Sequence, residues 1–157
     1  MEKTMKYTLI ASALLVGVIL LMRKGKGSTG KMKQPTPGRI SSAFGDRIHP
    51  VTGKKQFHNG IDIAAPNGTP IIAPMDGVVT ISATDETNGN YIILTHPNGY
   101  KTGYSHLSSK LVKAGQKVAK GEKIGLVGST GRSTGNHLHY TVTNPNGEKV
   151  DPLKLIA

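Results

Sequence analysis

The sequence contains no cysteine and no tryptophan, and phenylalanine occurs only twice in 157 residues. The lack of cysteine excludes disulfide bonds, thiolate metal ligands and a cysteine nucleophile. Beyond residue 40, no stretch of about eleven residues or more holds the apolar period of a helix, which argues against a helical bundle. Twenty glycines and nine prolines favour a turn-rich β protein whose core is built from isoleucine, valine, leucine and tyrosine.

The net charge is +11, and its distribution along the sequence matters because a dense basic surface indicates nucleic-acid binding. Residues 1–40 hold eight basic residues and one acidic residue, and so carry most of the excess. Residues 41–157 hold 12 basic and 8 acidic residues, without a basic stripe interleaved with aromatic residues. We therefore expect no specific nucleic-acid partner.

An uncharged apolar segment occupies residues 7–22, after a short basic N-terminus at residues 1–6. As a helix it would span about 24 Å, slightly less than the roughly 30 Å bilayer core, but flanking Lys6 and Arg23 can reach the headgroups. The segment does not end in the small-residue pattern of a signal-peptidase site. We predict a single-pass transmembrane helix in contact with the lipid bilayer, followed by a flexible Gly/Lys/Pro linker at residues 23–40.

From residue 40 onwards, short β-rich runs alternate with turn signals. The runs cover residues 60–63, 70–73, 77–83, 91–95, 101–106, 123–127 and 138–143. Asn-Gly pairs at 67–68, 88–89, 98–99 and 146–147 mark turns between them. The pattern predicts an all-β domain at residues 41–157, folded as a compact antiparallel sheet or sandwich.

Alternation along the last run separates a polar face from an apolar face. In a strand, His137 and His139 point one way, whereas Leu138, Tyr140 and Val142 point the other way. The apolar side belongs to the core, so the two histidines belong to the open face.

The segment His58-Asn59-Gly60-Ile61-Asp62 shows the same separation of a polar face from an apolar face. Isoleucine at position 61 points inward, Asp62 points outward, and His58 reaches the same side from a glycine-bearing loop. Two imidazoles and one carboxylate are ligands that Zn²⁺ accepts, and a fourth position left to water is typical of a catalytic site. Ordinary surface polarity explains this pattern less well, because both groups lie opposite apolar residues.

Several segments together resemble peptidase family M23, the zinc endopeptidases of the lysostaphin and LytM type. They are SAFGDR at 42–47, HNGID at 58–62, YSHLS at 104–108, the glycine-rich segments 112–121 and 124–131, and STGNHLHY at 133–140. The resemblance covers nearly the whole of residues 41–157 and implies the compact all-β fold of the LytM type. It also implies that His58, Asp62 and His139 are zinc ligands and that His106 and His137 are catalytic histidines that do not bind the metal.

Three further residues are interpreted in the light of this resemblance. Tyr104 lies two residues before His106, so we expect it on the same strand face, more as a packing residue than as a site residue. Arg47 is interpreted as a partner for a carboxylate near the site. Family members often carry Glu or Gln two residues after the last ligand, where this chain has Thr141, which puts one contact to the ligand in doubt.

The implied activity is hydrolysis of peptide cross-links or stem peptides of bacterial peptidoglycan, with Zn²⁺ as cofactor and peptidoglycan peptides as substrate. One alternative is a non-catalytic relative that binds the wall or activates another hydrolase. Such relatives typically lose site residues, and this chain keeps all five. A biotinyl or lipoyl carrier is a weaker alternative, because no hairpin lysine is flanked by methionine.

The charges around the apolar segment bear on which side of the membrane the β domain occupies. Five basic residues follow it and two precede it, so the positive-inside tendency would place the domain in the cytoplasm, away from peptidoglycan. Two expectations follow. Either the tendency is overridden in a bacterial envelope, or the protein lies in the membrane of a membrane-containing bacteriophage virion and serves wall penetration.

Overall fold

The computed structural model describes residues 31–49 and 52–157. The predicted basic N-terminus, the predicted transmembrane segment 7–22 and linker residues 23–30 lie outside these residues. Within the two described ranges, none of the helices has the length and apolarity needed to cross a bilayer.

The described residues form thirteen short strands and one 3₁₀ turn at Pro152–Lys154. The strands are β1 Arg39–Ser42, β2 Gly45–Ile48, β3 Lys55–His58, β4 Ile61–Ala64, β5 Pro70–Ile72, β6 Gly77–Asp85, β7 Gly89–Thr95, β8 Lys101–Leu107, β9 Ser109–Lys110, β10 Lys117–Val118, β11 Lys123–Leu126, β12 His137–Thr143 and β13 Lys149–Val150.

The main sheet has eight strands, with the order β1-β4-β12-β8-β7-β6-β10 and β13 paired to β12. A three-stranded sheet has the order β5-β11-β9, and β2 pairs with β3 in a separate hairpin. All these strand pairs are antiparallel. The prediction of an all-β antiparallel fold is confirmed, and each of the seven predicted runs overlaps an observed strand.

One apolar cluster holds the two larger sheets together. Ile71 of β5 and Ile124 of β11 are fully buried with Ile92 of β7 and Tyr104 of β8. In β12, Leu138, Tyr140 and Val142 alternate with half-buried residues, as the sequence predicts. Burying this side of β12 fixes its register and leaves its other side free for chemistry.

The N-terminal part of the described chain differs from the expectation of a flexible linker up to residue 40. Met32 is only 3% exposed and forms a parallel bridge with Ile156 near the other end of the chain. The Thr36 hydroxyl donates to the carbonyl of Pro70, and β1 already begins at Arg39. Isolated apolar residues such as Met32 give no periodic signal, although their burial makes residues 31–40 part of the domain.

Gly60 fixes the segment that precedes β4. A Cβ atom at this position would lie 2.3 Å from the backbone oxygen of Tyr140 on β12. Only glycine permits this close approach of the two backbones. The approach places the residues on either side of Gly60 directly beside the open face of β12.

Candidate metal centre

Three side chains from two separate segments of the sequence converge on one point. His58 Nε2 lies 3.1 Å from His139 Nδ1 and 3.2 Å from Asp62 Oδ1. His139 Nδ1 lies 2.8 Å from the same carboxylate oxygen. Each residue thus offers one ligand atom, and together the three could hold one metal ion.

Strand register explains this convergence. Antiparallel pairing of β4 with β12 sets Asp62 opposite His139, and residues paired in this way project from the same face. His58 ends β3 and reaches the same point from the hairpin beside the sheet. The buried side chains of Ile61 and Ile63 hold β4 in this register, because they point to the other face.

Each of the two candidate histidine ligands has an acceptor at the ring nitrogen that faces away from the cluster. His58 Nδ1 donates to the carbonyl oxygen of Ala43 at 2.8 Å, which leaves the Nε2 lone pair for a metal. His139 Nε2 donates to Asn59 Oδ1 at 3.0 Å, so a metal would take the lone pair of Nδ1, which without a metal contacts Asp62 Oδ1 at 2.8 Å. Such partners orient metal-binding imidazoles in proteins generally.

The two oxygens of Asp62 have different partners. Oδ1 faces the histidines, whereas Oδ2 lies 3.5 Å from Arg47 Nη1, which also donates to the Ser42 hydroxyl at 2.6 Å. Burial raises the pKa of Asp62, but hydrogen bonds and charges of His139 and His58 outweigh burial and hold the pKa well below 3.8. Asp62 is therefore a carboxylate at neutral pH, and Arg47 has the carboxylate-pairing role expected for it.

Two further histidines lie beside the three candidate ligands and are not among the residues that could hold the metal together. The ring centroid of His106 is 4.9 Å from that of His137 and 6.2 Å from that of His139. His106 Nδ1 donates to the carbonyl of Thr130 at 2.8 Å. His137 Nδ1 donates to the carbonyl of Gly135 at 2.8 Å. Both rings therefore have Nε2 available for proton transfer.

Burial is the main cause of the low pKa of His106. Desolvation lowers the pKa of its imidazole below 6.5, the hydrogen bond to Thr130 opposes this, and the neighbouring His137 lowers it further. An imidazole with this pKa is neutral at physiological pH, the state that a general base requires.

The backbone of His106 breaks the alternation of β8. Among the described residues it is the one non-glycine residue with positive φ, at 67°. Ser105 pairs with His139 and Tyr104 pairs with Tyr140, so regular alternation would point His106 into the core. The register of β7 against β8 shifts at this place, as in a β-bulge, and the left-handed residue turns the imidazole to the open face.

The expectation that Tyr104 shares a face with His106 is therefore wrong. Tyr104 is fully buried, its ring packs against Tyr140, and its hydroxyl meets the hydroxyl of Thr102 at 2.7 Å. Strand alternation cannot reveal a residue with positive φ, which is why the sequence placed the two residues together. Tyr104 is a packing residue, as the sequence interpretation preferred.

Sequence reasoning missed one residue of the centre. Asn59 occupies the second position of the HNGID segment and was given no role, yet it supplies the acceptor for His139. The available signal was a polar amide beside a ligand, combined with the missing Glu or Gln at Thr141. His96 is buried, with hydrogen bonds to the carbonyl of Asp76 and to the hydroxyl of Thr102.

An antiparallel β fold that carries two imidazoles, one carboxylate and two adjacent non-ligand histidines defines a metal-dependent hydrolase type of centre. Comparisons with known proteins agree. The profile of peptidase family M23 matches residues 56–152. The crystal structure of a zinc-containing peptidase from Vibrio cholerae superposes with a TM-score of 0.73 at 42% identity, over 78% of this chain and 39% of that one.

Curated sequences are similar as well. Peptidoglycan DD-endopeptidase ShyA of Vibrio cholerae is 50% identical over 117 residues, which are 74% of this chain and 27% of ShyA. DD-carboxypeptidase/endopeptidase Mpg of Neisseria meningitidis is 49% identical over 117 residues, again 74% of this chain and 27% of the relative. The chain thus spans about a quarter of the length of these relatives.

The chain belongs to peptidase family M23. The resemblance inferred from the sequence motifs is confirmed, and so is the prediction of zinc, since His58, Asp62 and His139 form a donor set that fits this ion.

Proposed function

We propose that this protein is a zinc-dependent peptidoglycan endopeptidase that hydrolyses DD peptide cross-links. The relatives ShyA and Mpg, which are about half identical to this chain over 117 residues, support the choice of substrate and bond. The single observation that carries the proposal is the cluster of His58, Asp62 and His139 with two free imidazole nitrogens beside it.

The proposed roles follow from which atoms are already engaged. Zinc, when bound by His58, Asp62 and His139, supplies a Lewis acid that acidifies water and polarises the scissile carbonyl. His106 and His137 keep Nδ1 bonded to carbonyl oxygens and present Nε2 to the substrate. One of them accepts the proton of the attacking water and delivers it to the leaving amine, while the other, when protonated, stabilises the negative charge on the carbonyl oxygen.

Defined muropeptides test this proposal. The full chain in detergent is expected to convert a DD-cross-linked dimer into monomers, and a chelator or the His139→Ala variant is expected to abolish the conversion. Unchanged monomer release in both controls would exclude the metallopeptidase. Zinc binding without any cleavage of peptidoglycan would instead favour a non-catalytic domain that binds the wall or activates another hydrolase.

We also propose that residues 7–22 anchor the protein in a membrane and that the β domain faces peptidoglycan. The uncharged apolar segment between Lys6 and Arg23 supports the anchor, and the wall substrate of the relatives supports the orientation. The excess of basic residues after the segment favours a domain that faces the cytoplasm at synthesis. A virion membrane taken from the host would turn such a domain toward the capsid, ready for wall penetration at entry. This orientation favours a phage virion over an ordinary envelope. Detection in purified virions is expected, whereas protease digestion of the domain on intact spheroplasts would indicate an envelope protein.

A further inference from the structure

The two histidine ligands are oriented by different kinds of acceptor. The acceptor for His58 is the backbone oxygen of Ala43, which no side-chain substitution removes. The acceptor for His139 is the side chain of Asn59, whose Oδ1 lies 3.0 Å from Nε2. The orientation of His139 thus depends on a residue that can be replaced.

The position of Asn59 is fixed by its neighbours. It lies between His58, which is 4% exposed, and Gly60, whose backbone presses against Tyr140 on β12. Because Tyr140 follows His139 directly, this contact holds the Asn59 side chain beside the ligand. Asn59 itself is exposed, so neither core packing nor a backbone requirement explains an amide there.

Position 141 does not supply the same contact. Thr141 shares the open face of β12 with His139, two residues further on. Its hydroxyl lies 3.5 Å from Lys149 Nζ, and a Cβ at Gly60 or Gly103 would meet its side chain. Among the described contacts, the acceptor for His139 Nε2 comes from Asn59.

We propose that Asn59 is a positioning residue of the metal centre, which holds the Nε2 proton of His139 and keeps Nδ1 directed at the metal. The inference rests on the zinc site of the proposed function but not on the bond that is cleaved. Loss of such a partner typically weakens metal binding by about 10- to 100-fold.

Zinc affinity of the full chain tests the proposal directly. The protein is stripped with a chelator, and its zinc dissociation constant is measured in competition with a chromophoric chelator. Asn59→Ala and Asn59→Leu lack an acceptor and are expected to raise the constant by about 10- to 100-fold, whereas Asn59→Asp keeps an acceptor and is expected to bind zinc at least as tightly as the wild type. Asn67→Ala, an exposed asparagine in the turn after β4, is the matched control and is expected to change nothing.

Two results would overturn the role of Asn59. One is wild-type zinc affinity in both Asn59→Ala and Asn59→Leu; the other is an Asn59→Asp protein that binds as weakly as Asn59→Leu. These results leave the peptidase intact, whereas failure of the wild type to bind zinc would remove the metal site itself.

A measurement on the unaltered chain does not depend on whether the variants fold. Nitrogen-15 NMR of the zinc-loaded protein is expected to show a proton on His139 Nε2 that exchanges slowly with solvent, and zinc on Nδ1. A proton on Nδ1, with zinc on Nε2, would contradict the proposal.

Discussion

Each histidine of the centre has a hydrogen-bond acceptor at the ring nitrogen that faces away from the cluster. The acceptors are Ala43, Asn59, Thr130 and Gly135, and three of the four are backbone oxygens. A neutral imidazole with a bonded N–H has its lone pair on the opposite nitrogen, so these contacts determine where each ring can bind a metal or accept a proton. The chain therefore prepares the centre before any ligand arrives.

The proposed separation of metal ligands from proton-transfer groups gives a residue-scale prediction. His106→Ala is expected to keep zinc at wild-type stoichiometry while turnover of the cross-linked muropeptide falls by about 10²- to 10⁴-fold, because only the proton-transfer group is lost. Metal content is read by atomic absorption on the same preparation that is assayed. Loss of zinc from this variant would show that His106 is a ligand.

At the scale of single elements, the turn between β6 and β7 holds the irregular end of β8. Asn88 accepts the backbone N–H of His106 at 2.7 Å, and its side chain accepts from the Ser105 hydroxyl. Asp85 in turn accepts from the backbone N–H of Asn88 at 2.6 Å and from its side chain at 2.8 Å. A turn that offers no residue to the candidate metal site thus stabilises the left-handed conformation of His106.

We expect loss of the hydrogen bonds between Asp85 and Asn88 to slow catalysis by displacing the imidazole of His106. Asp85→Ala should lower kcat about tenfold with unchanged zinc content, a smaller effect than the roughly 100-fold cost of a 1 Å misplacement. Steady-state kinetics and metal analysis measure both quantities, with Glu86→Ala as the neighbouring acidic control. Equal kcat for Asp85→Ala and the wild type would show that the turn does not position His106.

Regular elements could be predicted from the sequence, and irregular ones could not. In β12, alternation placed His137 and His139 on the open face because the strand is continuous and one side is buried. The hairpin of β2 and β3 was not foreseen, since its residues are largely exposed and polar and give no apolar pattern. The orientation of His106 depends on a bulge, and the contact of Asn59 depends on the close approach at Gly60, both of which are tertiary features.

At the scale of the whole molecule, the first described residues close the domain. Met32 packs into the core, its sulfur lies 3.7 Å from the Tyr140 hydroxyl, and its backbone pairs with Leu155 and Ala157. This contact joins the two ends of the described chain on the side of β12 that faces away from the metal centre.

Truncation of Met32 therefore has a stability cost. Met32→Ala is expected to lower the free energy of unfolding by about 2 kcal/mol or more, since it leaves a cavity at a buried site. Lys33→Ala at the exposed neighbouring position is expected to stay within about 0.5 kcal/mol of the wild type. Urea unfolding measures both, and equal stability of the two variants would mean that residues 31–40 do act as a linker.

Buried histidine also makes stability depend on pH. Burial lowers the pKa of His96 below 6.5, although hydrogen bonding to Asp76 opposes this. The unfolded chain therefore binds a proton near pH 6.5 that the folded chain does not bind, so the stability present above this pH is lost as the pH falls below it. His106 acts in the same direction.

Urea unfolding of the metal-free chain between pH 7.5 and pH 5 measures this loss, which is at most about 1.4 kcal/mol per pH unit for each histidine. His96→Gln is expected to show a smaller loss over the same interval. A stability that stays constant or rises towards pH 5 would contradict the assignment of His96 as a neutral buried group.

The most direct test of the account is anomalous diffraction at the zinc edge from crystals of the zinc-loaded chain. We expect one strong peak about 2.0–2.2 Å from His58 Nε2, Asp62 Oδ1 and His139 Nδ1, with His106 and His137 outside this distance. A peak at other residues, or zinc bound through His106 or His137, would contradict the assignment of the metal centre.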